Sequence, residues 1–444
     1  MDVQETALKM LEKYPLCDHC LGRQFALLGH GIENDRRGEA LKLVLALESH
    51  VMTLSDKRKG LSVLRVLATN GFCETARRIL QEMEKPEPAD GRLAECFLCA
   101  NKFAIKDDLV KRAVEVLQDF EYNTFLVGTE LPVPVAERED EFKAEFEVNY
   151  GENMRNEFGR VMGKEIAQRT GKTVEFGRPE IVVLVNPFRE QVELQVNPLF
   201  VAGRYRKLVR GIPQSKWFCS SCRGKGCQKC NWTGKMYPES IQEIVEGPFL
   251  EATGGLRASF HASGREDIDA RMLGNGRPFV IEITRPRKRF LDLGKLEEEV
   301  NAVGRGKVEV SDLRFGDKNV VRRLKKGEST QKEYCVLIEF DRKVGAKDLQ
   351  HLEERLRSAM IKQQTPVRVL HRRADMTREK YIYEVNVKKL SPRKAEMRIR
   401  CQGGLYVKEL VTGDEGRTVP SVSEILDNRA RPMKLDVLNV IMEA

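Results

Sequence analysis

The 444-residue sequence lacks a long apolar run. Near the N-terminus the longest apolar stretch, Leu41 to Leu47, is broken by Lys42 and is far below spanning length. The opening MDVQETALKMLEKYP has neither the basic leader nor the apolar core of a signal peptide. The expectation is a cytoplasmic protein with no membrane partner. No internal repeat and no low-complexity tail is visible, so the chain does not read as a solenoid or a disordered linker. A dominant charge is missing too: 76 Lys+Arg against 67 Asp+Glu leave a net charge of only +9. That balance favours an anionic partner only if the basic residues cluster.

What is present is length and cysteine. At roughly 150 residues per domain the chain divides into two or three, each able to bury a core. With 41% apolar and 32% charged residues the composition is that of a globular protein. Helical periodicity over 3–14 (with Asp2 as N-cap), 37–50, 61–84 and 106–119 makes residues 1–120 a helical region. Strands are expected over 124–131, 145–150, 181–187 and 191–201, with a helix at 153–170, giving an α/β RNA-accessory domain over 121–211. Residues 212–238 form a cysteine- and glycine-rich linker. From 239 to 444 long alternating strands (256–262, 278–284, 332–341, 366–372, 380–388, 395–402) mix with helices (290–302, 345–361, 405–412). The class is α+β, with a mixed, largely antiparallel sheet. Nothing suggests an obligate dimer, so a monomer is expected.

Eight of the eleven cysteines fall in CxxC pairs. In a reducing compartment such pairs read as metal ligands. Cys17, Cys20, Cys96 and Cys99 make two knuckles of one tetrahedral zinc site, and Cys219, Cys222, Cys227 and Cys230 make a second, tighter one. Four protein thiolates leave no open coordination position, so both zinc ions are expected to be structural. Cys73, Cys335 and Cys401 sit in apolar periodic contexts and read as small core residues.

The segment His261 to Phe279 carries three carboxylates, three arginines and three glycines between two strands. Asp267 is expected at a loop mouth with Arg265 nearby, ionised by neighbouring positive charge and able to act as a nucleophile. A solvated charged turn and a two-metal site at Asp267 and Asp269 are the competing readings of these residues alone.

The run SGREDIDARMLGNGRPF resembles that of the Pus-ten family of tRNA pseudouridine synthases, and the cysteine cluster at 219–230 resembles its archaeal branch. Lys332-Glu333-Tyr334 is similar to the family's Lys-x-Tyr element. Gly404-Leu405-Tyr406-Val407-Lys408 and the following GDEGRTVPS resemble its C-terminal motif. The cysteine pairs at 17/20 and 96/99 and the 140–210 segment resemble its zinc region and its THUMP-type RNA domain. The resemblance implies a pseudouridine-synthase catalytic domain over 239–444. It implies that uridines 54 and 55 of the tRNA T-loop are isomerised, with no catalytic cofactor. It gives Asp267 the role of nucleophile and Lys408 that of its cationic partner. Tyr334 would stack on the flipped uracil, and Tyr406, Leu405 and Lys332 would line the substrate pocket.

Four basic clusters are expected to meet RNA phosphates. They are Arg204, Arg206, Lys207 and Arg210; Arg285, Arg287, Lys288 and Arg289; Arg322, Arg323, Lys325 and Lys326; and Arg368, Arg372 and Arg373. The alternative is a non-enzymatic zinc-containing RNA-binding protein. A THUMP-containing methyltransferase is disfavoured, because Thr253-Gly254-Gly255-Leu256 is too short for a nucleotide loop.

Overall fold

A computed structural model describes residues 2–84, 95–325 and 330–441. Lys326 and the side chain of Arg372, both named above, lie outside the described part. The chain forms two compact units, Met1–Asn197 and Pro198–Ala444. No helix among the described residues is long and apolar enough to cross a membrane.

The first unit begins with α1 (Val3–Lys13), whose N-terminal amides of Gln4 and Glu5 donate to the Asp2 carboxylate. Then come α2 (Asp18–Gly22), α3 (Asn34–Ser55), α4 (Lys57–Thr69), α5 (Glu74–Met83) and α6 (Lys106–Leu117). The helix expected over 61–84 is thus two, because Phe72 takes a left-handed φ of 52° between them. The chain continues through β1 (Thr124–Thr129), α7 (Val133–Glu145), α8 (Met154–Thr170), β2 (Thr173–Val174), β3 (Ile181–Asn186) and β4 (Gln191–Val196). These strands lie in the order β2-β1-β3-β4, with β1 parallel to β2 and β3. Helices and sheet share one core. No strand forms at 145–150. Helix α7 runs up to it, its period disguised because the charged Glu139 sits on the buried face with Val135 and Phe142.

The strand expected over 191–201 is broken at Pro198, which has no N–H to offer a ladder. Its second half opens β5 (Leu199–Lys207), which pairs with strands of the second unit. Residues 198–211, expected with the 121–211 domain, therefore belong to the second unit, as does the cysteine-rich 212–238 segment. The second unit continues with α9 (Ile241–Thr253), β6 (Arg257–Ala262), β7 (Arg271–Thr284), α10 (Leu293–Val303), β8 (Val308–Gly316), α11 (Lys318–Lys325) and β9 (Gln331–Phe340). After these come α12 (Ala346–Leu356), β10 (Met360–Gln364), β11 (Thr377–Ser391), β12 (Lys394–Gln402), α13 (Val407–Thr412), β13 (Thr418–Val419), α14 (Val422–Ile425) and β14 (Ala430–Ile441).

Ten strands make one sheet in the order β13-β10-β11-β12-β9-β14-β7-β5-β8, with β6 added on β7. Among the described pairs of this sheet only β14 and β7 run parallel; the sheet is mixed and largely antiparallel, as its alternating sequence implied. Two corrections fall here. The helix expected over 345–361 stops at Leu356, and Met360–Gln364 is a strand whose residues alternate in burial. The strand expected over 366–372 is a 3-10 turn, Val367–Arg372, launched by Pro366. Three cores fill the unit, and Tyr334 on β9 packs against the two larger ones. That places its ring at the centre of the sheet, where β9, β14 and β7 converge on the loop joining β6 to β7.

Candidate active site

The β6–β7 loop is held from behind by a buried polar network. Glu266 accepts from Arg277 Nε at 2.9 Å and from the Tyr205 hydroxyl at 2.9 and 3.1 Å. Arg277 also donates to the Ser263 carbonyl, and Gln214 donates to the Gly264 carbonyl and to Tyr205. Arg277, Tyr205 and Glu266 are all buried. Buried charges are tolerated only when paired and hydrogen-bonded, and this set meets that condition. Gly264 has a φ of 79°, and a Cβ there would meet Lys332 Nζ at 3.1 Å and Arg277 Nη1 at 3.3 Å. A side chain would be strained in both conformation and space.

With Glu266 turned inward, Asp267 faces a cavity of about 220 Å³. Its carboxylate lies 3.2 Å from Lys408 Nζ and 3.3 Å from Arg368 Nη1, and its side chain is 32% exposed. Lys408 sits in the first turn of α13 and also bonds Asp269, at 2.7 and 2.8 Å. Burial works against the ionised form of Asp269, but the Lys408 ammonium outweighs it and lowers that carboxyl's pKa. Arg368 is fixed in turn by Glu409 at 2.6 Å.

Lys332, Tyr334, Leu405, Tyr406 and Arg265 line the same cavity. Tyr406 caps α13, its backbone amide bonded to Gln363 and its hydroxyl to Arg373. Burial, aided by the Arg277 charge, pulls the Lys332 ammonium down to about 8. Burial pushes the Tyr334 phenol well up. Every residue expected at the chemistry thus gathers in one place.

Lys408 bonds Asp267 as expected, and only the second cation differs from expectation. Arg265 lies over the Trp217 ring at 5.8 Å, and the cations that bond Asp267 are Arg368 and Lys408. Arg368 had been read only as a phosphate contact. Glu266, Arg277, Tyr205 and Glu409 were missed altogether. Lys207 is a correction: it is fully buried and donates to the carbonyls of Asp267 and Ile268, at 3.3 and 2.8 Å. It supports the β6–β7 loop and, buried there, cannot reach an RNA backbone. Its own ammonium is pulled down to about 8 by burial.

Arg204 is engaged by the carbonyls of Asn275, Gly276 and Val440, and Arg206 by Glu309. Arg289 is buried, another departure from the phosphate-contact reading. Arg285, Arg287 and Lys288 are exposed beside it.

Among the described residues, two sets could hold a metal ion: Cys17, Cys20, Cys96 and Cys99, and Cys219, Cys222, Cys227 and Cys230. In each set the sulfurs lie within 4.8 Å of one another. Backbone amides donate to the sulfurs, as from Cys17 to Cys96 in the first and from Gly226 to Cys222 in the second. Neither Asp267 nor Asp269 belongs to such a set, and the Lys408 ammonium stands between them where a bridging cation would sit.

Comparison with known proteins agrees with this arrangement. A family model described as "Pus10, C-terminal" matches residues 200–441, the region that holds the cavity. A second, "Pus10 THUMP domain, archaeal", matches residues 109–186. A tRNA pseudouridine synthase Pus10 of Methanocaldococcus jannaschii is 46% identical over 97% of this chain and 93% of its own length. One from Methanothrix thermoacetophila is 42% identical over 99% and 94%. Among solved structures, a chain of a Cbf5-Nop10-Gar1 complex aligns over 55% of this chain and 50% of its own at 14% identity. Its TM-score of 0.31 is too low to add weight. On the family models and on these near full-length relatives, the chain belongs to the Pus10 family.

Proposed function

We propose that the chain is a tRNA pseudouridine synthase that isomerises uridines 54 and 55 of the T-loop, with Asp267 as nucleophile. The observation that carries this reading is one ionisable carboxylate facing a small cavity, clamped by Lys408 and Arg368, with an aromatic ring on the cavity wall. A cavity of about 220 Å³ has no room for a duplex, so the target base must leave its stack, at a cost of a few kcal/mol. Stacking on Tyr334 offsets part of that cost.

The reaction breaks the N1–C1′ bond, turns the base, and forms C5–C1′. The hydrogen on C5 is lost and N1 regains a proton, so nothing is oxidised and no group is transferred. Asp267 attacks C1′, or takes the C2′ proton as the base leaves so that the sugar becomes a glycal and the proton is later returned; both routes need the carboxylate ionised and aimed. Lys408 and Arg368 supply the positive charge, and Glu409 keeps Arg368 from swinging away.

Each cysteine set is read as structural zinc. Four sulfurs about 2.3 Å from a central zinc stand about 3.8 Å apart. The closest pairs here are 3.6 Å in the first set and 3.7 to 3.9 Å in the second. Zinc bound there would close the knuckles and supply no step of the reaction. In this reading the enzyme is monomeric and cytoplasmic.

The test is release of tritium from tRNA labelled at uridine C5, with and without a chelator, on transcripts altered at nucleotide 54 or 55. Release should persist in the folded protein under chelation and drop by half for each altered position. Strand scission without release would contradict an isomerase.

A further inference from the structure

The second cysteine set sits in a hairpin that the catalytic account leaves without a task beyond holding metal. Residues 215–236 fold back on themselves through the Phe218–Lys235 bridge and the Cys219 amide bonded to the Gly234 carbonyl. Among the described residues, no side chain from Trp217 to Tyr237 joins a hydrophobic core of the second unit. Yet the hairpin displays large apolar groups: Trp232 is 75% exposed and Phe218 57%. Trp232 also has a φ of 62°, a left-handed conformation that is unfavourable for a bulky residue. That turn is used inside the fold, where the Trp232 amide donates to the Cys227 carbonyl at 2.9 Å; the exposed aromatic surface has no such return, and exposed apolar groups of this kind mark interaction sites.

The charge of the hairpin says what would cover it. Residues 215–236 contain five Lys and Arg and no Asp or Glu. Lys216 and Lys235 are drawn to Glu243. Arg223, Lys225 and Lys229 are exposed on the same small hairpin as Trp232, and no carboxylate pairs with them among the described residues. An aromatic platform among cations suits a nucleic-acid strand, whose bases stack and whose phosphates are neutralised. The hairpin is also fastened to the catalytic loop. The ring of Trp217, at its base, lies under the Arg265 guanidinium, which lines the cavity. Just ahead of it, Gln214 bonds the Gly264 carbonyl.

We propose that this hairpin is an RNA-gripping arm of the active site. It stacks an unpaired base of the substrate RNA on Trp232 and holds the flanking phosphates with Arg223, Lys225 and Lys229. The inference rests on the reading of the chain as an enzyme acting on tRNA.

Binding of an unmodified tRNA transcript to the full chain tests it, with tritium release by the wild type measured alongside. Trp232→Ala should bind about ten-fold or more weakly and raise KM in step, while kcat at saturating tRNA is kept and the metal content is unchanged. Lys225→Ala with Lys229→Ala should flatten the salt dependence of binding. Unchanged affinity in Trp232→Ala would overturn the proposal. If that variant loses its metal, Trp217→Phe decides, because Trp232 is then the only tryptophan of the two in the chain. Its emission should be quenched saturably by tRNA, and no quenching would overturn the arm. A wild type that binds tRNA but releases no tritium would instead sink the parent reading.

Discussion

The two units of the chain each bury an arginine against a glutamate, and the use made of the pair differs. In the first unit Arg23 Nε bonds Glu139 at 3.0 Å, while its Nη1 reaches the Cys20 sulfur at 2.7 Å. Glu139 also accepts the Met154 amide at the start of α8. In the second unit Arg277 bonds Glu266, the residue just before Asp267. One pair braces a metal-type cluster inside a core. The other fixes the backbone from which the Asp267 carboxylate projects into the cavity. The same costly device thus serves cohesion in one place and aim in the other.

Removing the cysteines should separate the two most sharply. The first set joins residues 79 and 82 positions apart, so it closes a long loop, whereas the second is confined to twelve consecutive residues. Cys17→Ser with Cys20→Ser should abolish metal binding at the first site, where a structural zinc would contribute on the order of 10 kcal/mol. In the full chain, limited proteolysis should then digest 2–197 while 198–441 stays protected. Retained metal and unchanged protection would break the comparison from the first side.

Next in size are the arginines. Arg277→Met leaves the buried Glu266 without its cation, at about 3–5 kcal/mol in urea unfolding, and Arg23→Met costs less, because Lys143 still stands 3.7 Å from Glu139. Only Arg277→Met should also lower single-turnover kcat, by about 10²-fold, because it loosens the Asp267 loop. Equal kcat in the two variants would mean that Glu266 does not aim the nucleophile.

The smallest effect is in pH. Lys332 has its pKa lowered to about 8 in the folded chain, from an ordinary 10.5. Between these values the unfolded chain binds more protons, so this group's contribution to stability rises with pH. Its penalty is full below pH 8 and gone above 10.5. Lys332→Met should therefore stabilise most below pH 8, with the advantage shrinking toward pH 10. An advantage independent of pH would show that Lys332 is not charged in the cavity below 8.

Much of the site was legible because its signals are local. The GRED loop, the KEY strand and the LYVK turn each carry their chemistry within a few residues, as do the cysteine knuckles. Arg368 was not legible as a partner of Asp267, because the two stand 101 residues apart and meet only through a 3-10 turn. Lys207 was misread though a signal existed. Along β5, Val201, Gly203, Tyr205 and Lys207 share the buried face, and Arg204 and Arg206 point the other way. Reading the basic run as one patch overlooked that alternation. Helix α7 was hidden because Glu139 occupies a buried position that an apolar residue would have revealed. The buried ion pairs were illegible for the same reason in both units: sequence shows a charge, and only packing shows what it faces.

In the proposed mechanism Asp267 performs the chemistry, and Lys408 and Arg368 only prepare it. Asp267→Asn keeps the side chain's size and removes its charge. Pseudouridine formation in unmodified tRNA should become undetectable under single-turnover conditions, with tRNA affinity within a few-fold of wild type. Formation of pseudouridine by the asparagine variant at a rate within about ten-fold of wild type, a barrier change of under about 1.4 kcal/mol, would contradict the account.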